Sequence, residues 1–150
     1  MWEYMTPLQF AVPVGALESV AGELPYVILA LLLVSFVTRH LRHSRHERAA
    51  EQDADTLSRF TPHVAVSALL VLASFLYMVV EPHSGMVISV LVTGTLVTDF
   101  FEFEARSVEL RNNLGIERPK AAITASLLTL LYALYISLFW VIQDQWDAII

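Results

Sequence analysis

The chain contains no cysteine. Disulfides, thiolate metal sites and cysteine nucleophiles are thereby excluded. Lysine is almost missing as well, since the basic residues are eight arginines and Lys120. None of them precedes Arg39, falls between Arg59 and Arg106, or follows Lys120. The net charge of -6 leaves no basic footprint of the size that nucleic acid requires. Scarce lysine beside an acid excess points to a salt-loving source. The first residues, Met1-Trp2-Glu3-Tyr4, lack the basic region of a cleaved signal peptide.

Apolar residues are plentiful. They make up 56% of the 150 residues, too many for a soluble domain of that length. Residues 1–23 are apolar but broken by Pro7, Pro13, Gly15 and Gly22, which suits a short interfacial segment with Trp2, Tyr4 and Phe10 at headgroup depth. Four longer runs follow, near 24–41, 63–80, 86–103 and 120–142. Proline stands at or just before the start of the first, second and fourth, as Pro25, Pro62 and Pro119, where a helix has no use for its missing N–H. The run 86–103 rises about 26 Å as a helix, close to the hydrocarbon core of a bilayer. Gly85, Ser89 and Thr93 recur every four residues along it and predict a helix-packing stripe. The stretch 81–85 predicts a tight turn, so the second and third runs are antiparallel neighbours. The expected fold is all-α: one polytopic membrane domain, a four-transmembrane-helix up-down bundle behind the interfacial segment. A soluble bundle with an apolar core is the competing arrangement, and charge sorting argues against it. All nine Arg and Lys residues occupy the segments 39–62 and 104–120, and the other connections carry only acids: Glu3, Glu18, Glu23, Glu81, Asp144 and Asp147. The positive-inside rule therefore predicts cytoplasmic basic loops at 42–62 and 104–119, and both termini outside a plasma membrane.

Three stretches carry a resemblance to a known group. They are Pro7-Leu8-Gln9-Phe10-Ala11-Val12-Pro13, Leu57-Ser58-Arg59-Phe60-Thr61-Pro62-His63, and Leu96-Val97-Thr98-Asp99-Phe100-Phe101-Glu102-Phe103-Glu104-Ala105-Arg106. With them the chain resembles an uncharacterised haloarchaeal family of four-helix integral membrane proteins. The resemblance implies an archaeal plasma membrane in high salt. It assigns no activity and no residue role.

Chemistry must come from few residues. Asp99, Glu102, Arg106 and Glu109 are spaced by three, four and three, which puts them in one helical stripe with Thr95. Carboxylates facing a bundle interior can bind a cation or relay protons. The plainer reading pairs Glu102 with Arg106 at the helix exit and gives Asp99 a basic neighbour. Asp99 lies about 20 Å along its helix from Met86, where an unpaired carboxylate is costly. Helix ends at that depth offer His63, Arg39 or His40 as partners, with Thr98 or Thr61 completing the shell. Arg39, Arg42 and Arg45 are expected to anchor the first helix to lipid headgroups, and His40, His43 and His46 to share that basic surface rather than hold a metal. The hydroxyls of Tyr132 and Tyr135 need partners, which Ser67, Ser74 or backbone carbonyls on adjacent helices can supply. No phosphate loop, catalytic triad or zinc helix occurs, so no metal, cofactor or catalytic residue is assigned. Three function classes stay open. The first is a structural or accessory membrane protein working through other membrane proteins or as a homo-oligomer. The second is a small cation or proton transporter or channel subunit using Asp99 and Glu102, and the third an intramembrane enzyme. A transporter calls for a water-accessible route to Asp99; an accessory protein calls for a dry core and an exposed apolar face.

Overall fold

The computed structural model describes residues 13–150. Five helices follow in order: α1 (Val14–Ser19), α2 (Leu24–Glu51), α3 (Thr61–Val80), α4 (Pro82–Arg111) and α5 (Lys120–Ile149). The last four are each long and apolar enough to cross a membrane. They pack around a square, α2 on α3, α3 on α4, α4 on α5 and α5 on α2. Trp2, Tyr4 and Phe10 lie outside the described residues. The described part of that leading segment is α1, which lies on α3 and adds Leu17 to the core.

Three of the four long helices carry proline in their first turn, Pro25, Pro62 and Pro82, and Pro119 immediately precedes the fourth. Two stop in the same way. Asp53 and Asn113 adopt left-handed backbone angles, φ 53° and 55°. Around Asp53, Ala54 N–H bonds Ala49 C=O and Asp53 N–H bonds Ala50 C=O; around Asn113, Leu114 N–H bonds Glu109 C=O and Asn113 N–H bonds Leu110 C=O. Each pair of bonds closes a Schellman turn, with Asp or Asn tolerated at the left-handed position.

The helices outrun the apolar segments. α2 continues through the arginine- and histidine-rich run to Glu51, α4 to Arg111 and α5 to Ile149. Apolarity measures what suits a bilayer, whereas helix length is set by where capping signals stand, and none stands before Asp53 or Asn113. The turn between α3 and α4 shrinks to Glu81, because Pro82 opens α4 and Gly85 is already helical.

Burial is inverted relative to a soluble bundle. Among the described residues, sixteen buried side chains are polar or charged, as many as are apolar when Pro25 and Pro119 are included. Large apolar residues such as Leu33, Val37, Leu69, Val90, Phe101, Leu131 and Tyr135 face outward. This suits lipid, which accepts apolar surface and gives helices no hydrophobic reason to associate. At the end bearing the α3–α4 turn the core is mainly apolar: Ile28, Leu32, Leu70, Ala73, Tyr77, Ile88, Val92 and Ala133, with the uncharged Ser74, Ser89 and Ser137 buried among them. At the end bearing the two long loops it is polar.

α5 docks through a seam of small residues, Ala122, Ser126, Thr129, Ala133 and Ser137, all at most 2% exposed. Ser137 Oγ donates to the Pro25 carbonyl of α2 at 3.1 Å. Thr129 and Thr95 hydroxyls meet at 3.0 Å between α5 and α4. The predicted stripe on α4 is only two-thirds realised. Gly85 lies so close to α3 that an added Cβ would overlap the Met78 backbone, and Ser89 is buried, but Thr93 faces outward. Steps of four residues drift about 40° each around a helix, so by Thr93 the stripe has left the interface, and Val92 and Thr95 replace it.

Candidate functional site

The buried seam of α2 changes character within one turn. Leu24, Ile28 and Leu32 are followed by Ser35, Thr38, Arg39, Arg42, His43 and His46, all buried. Helical spacing keeps this series on the face that the leucines began. Opposite it, α3 presents His63 in its first turn and α4 presents Asp99 nearly five turns along.

These residues meet at Asp99, whose side chain is 6% exposed. Arg39 Nε donates to Asp99 Oδ1 at 3.1 Å and Arg39 Nη2 donates to Oδ2 at 2.7 Å, a two-pronged pair. Arg42 Nη2 donates to Oδ1 at 3.0 Å. His63 Nε2 stands 3.1 Å from Oδ2. Both carboxylate oxygens thus have two partners each. His63 Nδ1 lies 2.8 Å from Thr38 Oγ1, which also lies 3.1 Å from the Ser35 carbonyl. A neutral imidazole satisfies both ring contacts when Nε2–H donates to Asp99 and Nδ1 accepts the Thr38 proton. The cluster ties together α2, α3 and α4, and long arginine side chains reach across the square's diagonal.

Asp99, His63 and Arg39 are therefore brought together, and Arg42 joins them. His40 is exposed and takes no part. Neither Thr98, whose hydroxyl donates to the Thr95 carbonyl, nor Thr61 is in the shell; Thr38 holds that place through His63. Arg39 and Arg42 were expected at the headgroups, and the structure corrects that: they are 3% and 7% exposed and turned onto Asp99. Their positions fall on the Leu32 face of α2, and a buried carboxylate at the same depth outweighs water as their partner. Arg45 remains exposed, with its guanidinium 4.7 Å from the Phe60 ring centre. His43 and His46 are buried too, and the His46 ring meets Phe103 edge-on at 5.8 Å. Ser67 and Ser74 donate to carbonyls of their own helix rather than to Tyr132 or Tyr135.

Glu102 and Arg106 belong to a second network. Arg106 Nη1 donates to the carbonyls of Glu117 and Arg118 at 2.8 and 3.2 Å. Its guanidinium also lies 3.2 Å from Glu102 and 2.8 Å from Glu109. Glu102 Oε1 accepts the Ala121 N–H, capping α5 from α4, and Glu109 Oε2 accepts the Glu117 N–H. Together they staple the 112–119 loop to α4. The carboxylate also favours the positive end of the α5 dipole. No hydrogen bond or ion pair among the described residues links Glu102 to Asp99.

Toward the α3–α4 turn, Asp99 is closed off. A void of about 10 Å³ lined by Ser35, Ser67, Thr95 and Asp99 has room for about one water. Leu32, Leu70 and Val92 line it as well, and Ile88 belongs to the same core. Sideways, a groove of about 510 Å³ between α3 and α4 reaches Asp99 past Val64, Leu96, Val97, Phe100 and Phe101. Its walls are mostly apolar.

Sequence reasoning missed Arg42 as a ligand of Asp99. Arg42 was legible as the i+3 neighbour of Arg39. The seam of α5 was legible as Ala, Ser and Thr at steps of four, three, four and four. No curated protein and no solved structure matches the chain. A family model described as a domain of unknown function, DUF7313, matches residues 6–150. That match covers nearly the whole chain, which belongs to the DUF7313 family.

Proposed function

We propose that the chain is a multi-pass membrane protein with a structural or accessory role, acting through partner proteins or as an oligomer, with the Asp99 cluster as its internal lock. One observation carries this reading: both Asp99 oxygens are already taken by Arg39, Arg42 and His63. A cation site needs free carboxylate oxygens, and two arginines beside this one repel cations. Glu102 is engaged separately in capping α5. Between Asp99 and the α3–α4 turn, Leu32, Leu70, Ile88 and Val92 occupy the core beside single buried hydroxyls such as Ser74 and Ser89, with no charged side chain among them, which weighs against a conducting path and so against a transporter using Asp99 and Glu102. No enzymatic role is proposed.

The outward apolar belt supports lipid contact on all sides. Collection of all nine Arg and Lys residues in the loop-bearing end supports cytoplasmic loops and extracellular termini in a plasma membrane. Scarce lysine and the acid excess support a haloarchaeal, high-salt setting. Extraction from native membrane in mild detergent, followed by cross-linking and mass determination, tests the role. The expected result is a stoichiometric partner or a defined oligomer. A protein recovered only as a monomer that carries cations or protons across reconstituted liposomes would overturn the proposal.

A further inference from the structure

A second cavity lies on the other side of Arg39. It has a volume of about 190 Å³ and opens between α2 and the start of α5. Arg39, His40, His43 and Arg118 line it, over a floor that includes Phe36 and Ile123. No carboxylate lines it. Four groups that carry or can carry positive charge thus converge on a space with no acid of its own.

Two of these lining residues each carry a buried atom that has no partner. Arg39, 3% exposed, spends Nε and Nη2 on Asp99 and leaves Nη1 buried without an acceptor. His43, 8% exposed, pairs Nε2 with Glu47 at 3.2 Å and leaves Nδ1 buried without a partner. Buried polar atoms are nearly always satisfied, and a guanidinium N–H left empty is especially costly. The carboxylate that Arg39 touches is shared with Arg42, so it only partly answers the Arg39 charge. Arg118 lines the cavity too, and its backbone is fixed where its carbonyl accepts from Arg106. A compact oxyanion with several acceptor oxygens suits this set. Arginine answers phosphate geometry well, and imidazole can either donate to a phosphate oxygen or accept from a P–OH.

We propose that this cavity binds a phosphate group, either that of an anionic lipid headgroup or free phosphate. A lipid phosphate would enter from the side, between α2 and α5, with its chains along the outward apolar face of α2 at Val37 and Leu33. A free phosphate would enter from the loop-bearing end.

The test uses the full chain in a neutral maltoside detergent, stripped of lipid. Thermal unfolding is followed as phosphatidylglycerol, diacylglycerol or inorganic phosphate is added at constant ionic strength. Native mass spectrometry counts the retained adducts. Phosphatidylglycerol is expected to raise the melting temperature and remain as a single adduct, while diacylglycerol does neither. A matching response to inorganic phosphate assigns the site to the free anion as well; a response to the lipid alone assigns it to a headgroup. The exposed positions His40 and Arg118 allow a variant that folds: His40→Gln with Arg118→Gln is expected to weaken the apparent affinity about tenfold. Arg48→Gln, a charge loss outside the cavity, is expected to leave it unchanged. The proposal is overturned if neither phosphate source stabilises the protein. It is also overturned if diacylglycerol does as well as phosphatidylglycerol, or if Arg48→Gln weakens binding as much as the double variant.

Discussion

The two ends of this bundle use the same helices and hold together by different means. Near the α3–α4 turn, α2 contributes Leu24, Ile28 and Leu32, and the facing helices contribute Leu70, Tyr77, Ile88 and Val92. Near the long loops, the same seam of α2 contributes Thr38, Arg39, Arg42 and His46 against His63 and Asp99. In lipid the apolar end gains only packing contacts, since lipid tails solvate leucine as well as protein does. Any apolar helix face of similar shape would serve there. The polar end is selective, because a buried carboxylate that loses its arginines is heavily penalised. One end thus supplies contact area, and the other decides which helices are neighbours and in what register. The polar end also lies where the chain leaves the apolar segments, where desolvating charge is least costly.

Breaking the polar end should have the largest effect. Asp99→Leu leaves Arg39 and Arg42 buried with no anion and His63 with one partner. The expected loss is about 3–5 kcal/mol of stability, read from unfolding in detergent. Asp99→Asn keeps the shape and some hydrogen bonds and should fall between wild type and Asp99→Leu. If Asp99→Leu melts with the wild type, the polar end is not a lock.

The apolar end should respond to volume rather than to charge. Ser89 is 4% exposed one turn after Gly85, where α4 lies against the Met78 backbone of α3, and its hydroxyl has no partner. Ser89→Leu should destabilise by about 1–3 kcal/mol through overpacking. Ser89→Ala removes an unsatisfied hydroxyl and should be neutral or mildly stabilising. Val90→Leu, one residue away but 66% exposed, should change nothing measurable. Equal melting temperatures for Ser89→Leu and Val90→Leu would mean that α4 does not meet α3 at that face.

Much of this division was readable from residues alone, and the unreadable parts have physical causes. The four spans follow from apolar runs and from proline at or just before three of the four helix starts. Asp99's need for His63 or Arg39 follows from depth along the helix and the cost of a lone carboxylate. The continuation of α2 to Glu51 was not readable, because hydropathy reports the solvent on the outside of a helix, and the buried seam of α2 runs on as arginine and histidine. The inward turn of Arg39 and Arg42 was hidden for a related reason. A basic run beside a span suits lipid headgroups equally well until the opposing helix shows a carboxylate at the same level. Thr93 misled because a four-residue repeat leaves its face by the second step.

A smaller effect is expected at the hydrogen bond that steadies His63. Thr38 Oγ1 meets His63 Nδ1 at 2.8 Å, and both side chains are buried. Thr38→Val keeps the shape and removes the bond, at a cost of about 1 kcal/mol. It should act through His63, so combining it with His63→Gln should cost less than the sum of the two. Strict additivity would show that Thr38 does not orient the ring.

The smallest effect separates three arginines that composition cannot tell apart. Arg39, Arg42 and Arg45 stand three residues apart on α2, yet only the first two reach Asp99. The third projects outward over Phe60. An exposed cation over an aromatic ring contributes no more than about 1 kcal/mol. Arg45→Gln should therefore shift stability within that range, and any loss should shrink further in high salt, where surface charge is screened. Arg39→Gln and Arg42→Gln should each cost more, and salt should rescue neither, since their partner is buried with them. Arg39→Gln should be the worse of the two, because Arg39 gives Asp99 two bonds and Arg42 gives it one. Unfolding of the three single variants at low and high salt measures this order directly. A uniform, salt-sensitive loss at all three positions would place Arg39 and Arg42 on the surface with Arg45, and the contrast between a packed end and a locked end would fall with them.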